Sequence, residues 1–203
     1  MFMSRLPQLY YIRHGETEWS LSGQHTGRTD IPLTAQGEDQ ARALAPWLRA
    51  MHFDHVLMSP RRRARRTCEL AGLGAIAQIE PDLSEWNYGE YEGRRSVEIR
   101  AERPDWNLWT DGCPGGESPA EVATRVDRFL ARLTTLEGNI ALFAHGHIGS
   151  ALATRWSGLP LAEGRIFTLR PASLSILGRE PRDPQTQVIV LWNATPALLN
   201  VGQ

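Results

Sequence analysis

The chain has 203 residues, 41% of them hydrophobic and 22% charged, with a formal net charge of -1. That composition supports a sizeable core, and the near-neutral balance leaves no bulk field for nucleic acid or an anionic membrane surface. One domain over residues 1–203 is the simplest organisation at this length. The chain has no lysine, so its cationic side chains are arginines, whose planar paired donors suit phosphate and carboxylate. Cys68 and Cys113 lie in no metal or redox spacing and are too few for a disulfide scaffold. The N-terminal stretch lacks a long apolar core with a cleavage site, and no segment reaches the length of a membrane span, so a soluble, cytoplasmic protein is expected.

In chain order, residues 9–12 read as a short buried strand, followed by a polar, glycine-bearing loop. A helix is expected over 35–51, with Ala41, Leu44, Ala45 and Leu48 on one face and Pro46 inside it as a potential kink. Residues 54–59 read as a second strand. Ser59 and Pro60 then offer a cap and a first helical position. A third strand is expected at 75–81. Residues 82–116 are irregular, with a short helix near 97–103. Residues 117–138 are the clearest helix: Ser118 and Glu121 form a capping box, Pro119 opens the first turn, and Val122, Val126, Phe129, Leu130 and Leu133 make one stripe. A buried strand follows at 139–146, then a helix at 147–158. Two closing strands, 173–178 and 187–193, read as a hairpin. Alternating strands and helices predict an α/β sandwich with a mostly parallel central sheet, whose ligands bind beyond the carboxyl ends of the strands.

Two strands end alike, in "YYIRHG" and "LFAHG". Each drives an apolar run to a histidine and then a glycine, so neighbouring strands would bring His14 and His145 to one end of the sheet. One such histidine would be read as a satisfied end-of-strand residue; two copies, one with Arg13 beside it, point to a site. Glycine at 15 and 146 would let a ligand approach the backbone. A metal is disfavoured, because His145 and His147 supply two ligands in no standard zinc spacing. The arginines of "SPRRRARRT" (59–67), at a helix start after a strand, suit an anion, although most of the five must face solvent. "LSEWNYGEYEG" (83–93) carries Glu85, Glu90 and Glu92 among aromatics. A carboxylic acid held protonated in such a setting could serve a leaving alkoxide, but the residues do not single out which glutamate.

Taken in order, "IRHGETEW", "SPRRRARRT", "LSEWNYGEYEG" and "AHGH" resemble the histidine phosphatase superfamily, in its phosphoglycerate mutase-like branch. The pieces "RHGxTEWSxSGQxTGxTDxPLT", "EWxYGxYEG", "WNxWxDGC" and "FAHGH" are similar to the sedoheptulose-1,7-bisphosphatase-like sugar phosphatases of that superfamily. The resemblance implies a three-layer α/β/α sandwich. It makes His14 the phosphate-accepting nucleophile, with Arg13, Arg63 and a protonated His145 around the phosphate, and Glu85 the proton donor. Ser20, Thr26, Gly27, Tyr88, Gly146 and His147 would line the substrate pocket; Ser20 stands where the mutases often carry asparagine. The activity implied is that of a metal-independent histidine acid phosphatase, without cofactor, acting on a small-molecule phosphate ester such as a sugar (bis)phosphate. Residues 106–113 would either shape the leaving-group pocket or pack as a cap over it. A cofactor-dependent phosphoglycerate mutase is the first alternative, disfavoured by the short segment after Gly93 and the lack of lysine. A non-catalytic phospholigand-binding member is the second. No nucleic-acid or membrane partner is expected, and an exposed edge strand would permit a homodimer.

Overall fold

The computed structural model describes residues 8–199. Its strands form one six-stranded sheet. In chain order they are β1 (Leu9–Arg13), β2 (His55–Met58), β3 (Gln78–Ile79), β4 (Ile140–Ala144), β5 (Leu174–Glu180) and β6 (Asp183–Ala194), arranged β3-β2-β4-β1-β5-β6. The first four run parallel, and β5 and β6 pair antiparallel. The helices are α1 (Glu18–Ser22), α2 (Ala35–Arg49), α3 (Arg62–Leu70), α4 (Ser96–Glu102), α5 (Leu108–Asp111), α6 (Pro119–Leu133), α7 (Gly146–Trp156) and α8 (Pro196–Leu199).

The two sheet faces are covered separately, as alternation along β1 requires. Tyr10 and Ile12 face α2 and α3, packing with Leu44, Leu48 and Cys68. Leu9 and Tyr11 face α6 and α7, packing with Val126, Phe129, Ile148 and Leu152. The result is the expected α/β/α sandwich. Among the described residues, no helix is long and apolar enough to cross a membrane.

Several local expectations need correction. The loop after β1 contains α1, because Thr17 and Ser20 form a capping box and Gly23 closes the turn at φ 81°. Helix α2 continues through Pro46, which lies on its exposed side. Helix α3 starts at Arg62, with Arg61 at the cap position and no side-chain cap. Ser59 lies two residues before that cap position; its hydroxyl accepts from the Arg61 N–H at 3.3 Å and meets His145 Nε2 at 2.7 Å. A 3-10 turn, Gly74–Ile76, takes the start of the expected third strand and leaves β3 two residues long. Helix α6 and its capping box stand as expected. The closing hairpin forms, with strands that run further into its connection than expected.

Candidate active site

Register brings the two histidines together. Arg13 pairs with Ala144 across β1 and β4, and the His14 N–H donates to the Ala144 carbonyl at 2.9 Å. His14 and His145 therefore leave the sheet side by side, with ring centroids 5.2 Å apart. Beyond them opens a cavity of about 320 Å³.

His14 Nδ1 lies 2.7 Å from the Gly15 carbonyl oxygen. A carbonyl only accepts, so Nδ1 carries the proton and Nε2 keeps its lone pair. Burial, then the charges of Arg63 and Arg13, hold the His14 pKa well below 6.5. The ring is thus neutral, with one fixed tautomer and a free nucleophilic nitrogen. The acceptor that fixes the tautomer is thus the backbone just after β1. The expected role of Gly15 is not met: a Cβ there would overlap the Gly37 carbonyl in the first turn of α2. Glycine at 15 serves packing rather than space for a ligand. Its N–H donates to Thr67 Oγ1 on α3 at 3.0 Å, which further fixes the strand tip.

Arg13 lines the cavity. One terminal nitrogen donates to the Leu169 carbonyl, and Nε is buried without a hydrogen-bond partner among the described residues. A buried cationic donor left unpaired is costly unless a ligand uses it. Gly146 lies against the guanidinium; a Cβ there would touch its central carbon at 3.4 Å, an ordinary van der Waals contact.

Arg63 and His145 stand behind the wall instead of lining the cavity. Arg63 is fully buried. It donates to the carbonyls of Thr26, Gly27 and Thr29 and, through Nε at 3.1 Å, to His145 Nδ1. His145 Nε2 lies 2.7 Å from Ser59 Oγ. Because Nδ1 accepts from Arg63, the ring proton sits on Nε2 and is donated to Ser59. Burial, then Arg63, hold the His145 pKa well below 6.5. The expected protonated His145 is corrected to a neutral one with both ring nitrogens engaged. Tyr11 pins its backbone, donating to the His145 carbonyl at 2.6 Å and accepting its N–H at 3.0 Å.

Of the three glutamates in 83–93, only Glu85 lines the cavity. Its Oε1 accepts from Trp86 N–H at 2.9 Å and Ile148 N–H at 2.8 Å, and its Oε2 accepts from His147 N–H at 3.0 Å. Glu85 thus supplies the acceptors that the cap residue of α7, His145, does not. Arg125 on α6 holds the loop around it, through the carbonyls of Asp82 and Ser84 and a two-point pair with Glu117. Glu92 instead braces a neighbouring loop, where its carboxylate accepts from the Gly27, Arg28 and Thr29 N–H groups.

Ser20, Thr26, Tyr88, Gly146 and His147 line the cavity. Gly27 does not, because a Cβ there would overlap the Trp86 carbonyl and its backbone is committed to Glu92 and Arg63. The tryptophan segment divides. Trp109 lines the cavity, whereas Trp106 is buried with its indole N–H on the Gly112 carbonyl. The rings of His145 and His147 turn to different partners, Ser59 with Arg63 and Tyr88. His25 was missed. It lines the cavity, 4.6 Å from the Tyr88 ring, with Nε2 3.2 Å from Ser96 Oγ. It stands at an unspecified position of the matched pattern, and its side-chain partners Tyr88, Ser96, Trp106 and His147 lie 63–122 residues away. Residues 165 and 167–169, which also line the cavity, carried no signal in the sequence.

Paired strand-tip histidines, an arginine Nε with no partner among the described residues and a fixed carboxyl thus meet around one cavity at the end of the sheet. Residues 9–195 match the model of the histidine phosphatase superfamily (branch 1), and the chain belongs to that family. It is 44% identical over 188 residues to an acid phosphatase of Mycobacterium tuberculosis, across 91% of this chain and 92% of that one. It is 38% identical over 190 residues to the sedoheptulose 1,7-bisphosphatase of Saccharomyces cerevisiae, across 77% of this chain and 69% of that one. The solved structure of an open reading frame product of Mycobacterium tuberculosis superposes with a TM-score of 0.89 at 40% identity, covering 95% of this chain and 100% of the other.

Proposed function

We propose that the protein is a phosphomonoesterase that hydrolyses a small phosphorylated metabolite, a sugar (bis)phosphate, through a phosphohistidine on His14. The observation that carries this reading is the state of His14: neutral, with Nδ1–H on the Gly15 carbonyl and Nε2 free. The names of the two relatives, one a phosphatase and one a sugar bisphosphatase, support it.

In this reading the phosphoryl group lies against Arg13, whose unpaired Nε–H and positive charge neutralise the equatorial oxygens. His14 Nε2 attacks phosphorus as the bond to the ester oxygen breaks. Glu85 gives its proton to that departing oxygen. Water then attacks phosphohistidine, the P–N bond breaks, and the water proton passes to the Glu85 carboxylate, restoring the acid and releasing phosphate. Arg63 and His145 act from behind: their hydrogen bonds set the loop over the site, and burial, with the Arg63 charge adding to it, keeps His14 unprotonated. The reaction needs no step through a metal or cofactor.

The test is rapid acid-free quenching during turnover of p-nitrophenyl phosphate, with peptide mapping of the phosphorylated residue. Phosphohistidine at 14, and loss of both turnover and label in His14→Ala, are expected. Turnover that persists in His14→Ala would overturn the reading.

A further inference from the structure

Residues 167–173 connect the 3-10 turn Leu161–Ile166 to β5, and the first three of them form part of the cavity wall. No side chain here enters the proposed reaction, yet the backbone is tied to the residues that do. The Leu169 carbonyl accepts from a terminal nitrogen of Arg13, and it is the only acceptor this guanidinium has among the described residues. The Ser173 carbonyl accepts from the Arg13 N–H at 3.1 Å, and the Ala172 N–H donates to the His14 carbonyl at 3.0 Å. Ala172 is fully buried at φ 50°, a left-handed backbone that a residue with a Cβ adopts only under constraint. The two bonds to the strand tip supply that constraint.

The same segment is held from its other side by β6, the outermost strand. The Arg170 N–H donates to Asn193 Oδ1 at 2.7 Å, and Trp192 Nε1–H donates to the Thr168 carbonyl at 3.0 Å. Asn193 lies inside the register irregularity between the Ile176–Leu191 and Leu174–Ala194 pairs. Its φ is 57°, which asparagine tolerates better than most residues, and its own N–H is held by Ser175 Oγ at 2.9 Å. The Leu169 carbonyl and the Arg170 N–H are the two ends of one peptide group. That group is planar and trans, so Arg13 and Asn193 grip opposite edges of one rigid plate. A rotation of the plate breaks both bonds at once.

We infer that Asn193, which lies outside the cavity lining, is a positioning residue for Arg13. By fixing the 169–170 peptide plane from behind, it aims the Leu169 carbonyl and, through it, the guanidinium that meets the phosphoryl group. This rests on the phosphomonoesterase reading above and adds to it a residue on the far strand of the sheet. The Arg170 N–H is exposed, so water can replace its partner in a variant. What such a variant loses is the orientation of the plate, not a buried donor.

The experiment measures kcat/KM on p-nitrophenyl phosphate for two variants. Asn193→Gly permits the left-handed backbone and removes the acceptor; Asn193→Asp keeps both. The glycine variant should lose about tenfold, the effect of roughly one hydrogen bond, while the aspartate variant stays within about threefold of wild type. Trp192→Phe removes the bond to the neighbouring Thr168 carbonyl, keeps a ring against Phe167, and should show a smaller loss. The comparison is repeated on Arg13→Lys. An ammonium has no plane to orient, so Asn193→Gly should cost less than about twofold in that background. An unchanged rate in the glycine variant, or in Trp192→Phe if the glycine variant does not fold, overturns the inference. So does an aspartate variant as impaired as the glycine one, or an equal loss on arginine and lysine at position 13. Labelling of His14 in the wild-type protein, followed in parallel, keeps the two readings apart. If the label is absent, both fall; if it is present and the Asn193 variants behave as wild type, only the positioning assignment falls.

Discussion

Ser59 Oγ lies 2.7 Å from His145 Nε2, and this contact ends a buried chain that runs through Arg63 to the carbonyls of Thr26, Gly27 and Thr29. Ser59 follows β2, whereas the carbonyls belong to the loop after β1. The chain therefore ties two separate segments to the wall of the cavity.

Ser59→Ala should leave the His145 Nε2–H buried without an acceptor. The expected cost is about 1–3 kcal/mol in stability, read from urea denaturation. Activity on p-nitrophenyl phosphate should fall as Arg63 loses its fixed partner. An unchanged midpoint together with unchanged activity would show that the contact carries no weight.

Replacing Glu85 should separate substrates by their leaving groups. Glu85→Ala is expected to slow hydrolysis of alkyl and sugar phosphates by roughly 10²–10⁴-fold, the usual worth of a positioned acid. The loss on p-nitrophenyl phosphate should be far smaller, because nitrophenolate departs without a proton. Equal losses on both would sink the proton-donor assignment. Glu85→Gln, which keeps one oxygen as an acceptor for the α7 N–H groups, separates lost protonation from lost geometry.

Acid should destabilise the fold through its histidines. Burial first, then neighbouring cations or His147, depress His25 to about 4; burial and Arg13 do the same to His147, and His14 and His145 are also held well below 6.5. Each folded pKa lies below its unfolded value, so between about pH 4 and 6.5 the unfolded chain binds more protons. Stability is then full above pH 6.5 and is lost as pH falls toward 4. A group shifted from 6.5 to about 4 contributes about 3 kcal/mol over that window. Urea midpoints measured from pH 7 to 4.5 should fall, and His25→Gln should flatten the slope. An identical slope in that variant would remove His25 from the account.

EDTA treatment and dialysis should leave turnover intact, because arginine supplies the positive charge that a metal would otherwise bring to the phosphoryl oxygens. Complete loss of activity, restored by zinc or magnesium, would reverse that assignment.

The strand tips were legible because local pattern and register coincide there. Apolar runs ending in His-Gly placed His14 and His145, and β1 and β4 proved to be neighbours. The stripe and capping box of α6 were equally plain, since both are set by residues three or four apart. What could not be read was every feature in which a distant partner outcompetes a local one. Ser59 has the chemistry of a helix cap, but α3 starts only at Arg62, and the shorter contact of the Ser59 hydroxyl goes to His145. Gly15 sits beside the nucleophile, yet α2 is what requires a glycine there. Arg63 stands out from the other arginines of 59–67 only through its distant partners, since its donors go to His145 and to the carbonyls of Thr26, Gly27 and Thr29. Glu85 could not be told from Glu92 until the start of α7 met one and the loop at 27–29 met the other.

His14 and Glu85 are held by opposite layers of the sandwich. His14 is steadied from the α2 and α3 side, through Gly15 against Gly37 and Thr67. Glu85 is steadied from the α6 and α7 side, through Arg125 and the first N–H groups of α7. The gap between the two groups is thus a dimension of the whole sandwich, set by how its halves seat on the common sheet. A substitution deep in either helical layer can retune catalysis by shifting one partner against the other, without touching a single atom that meets the substrate.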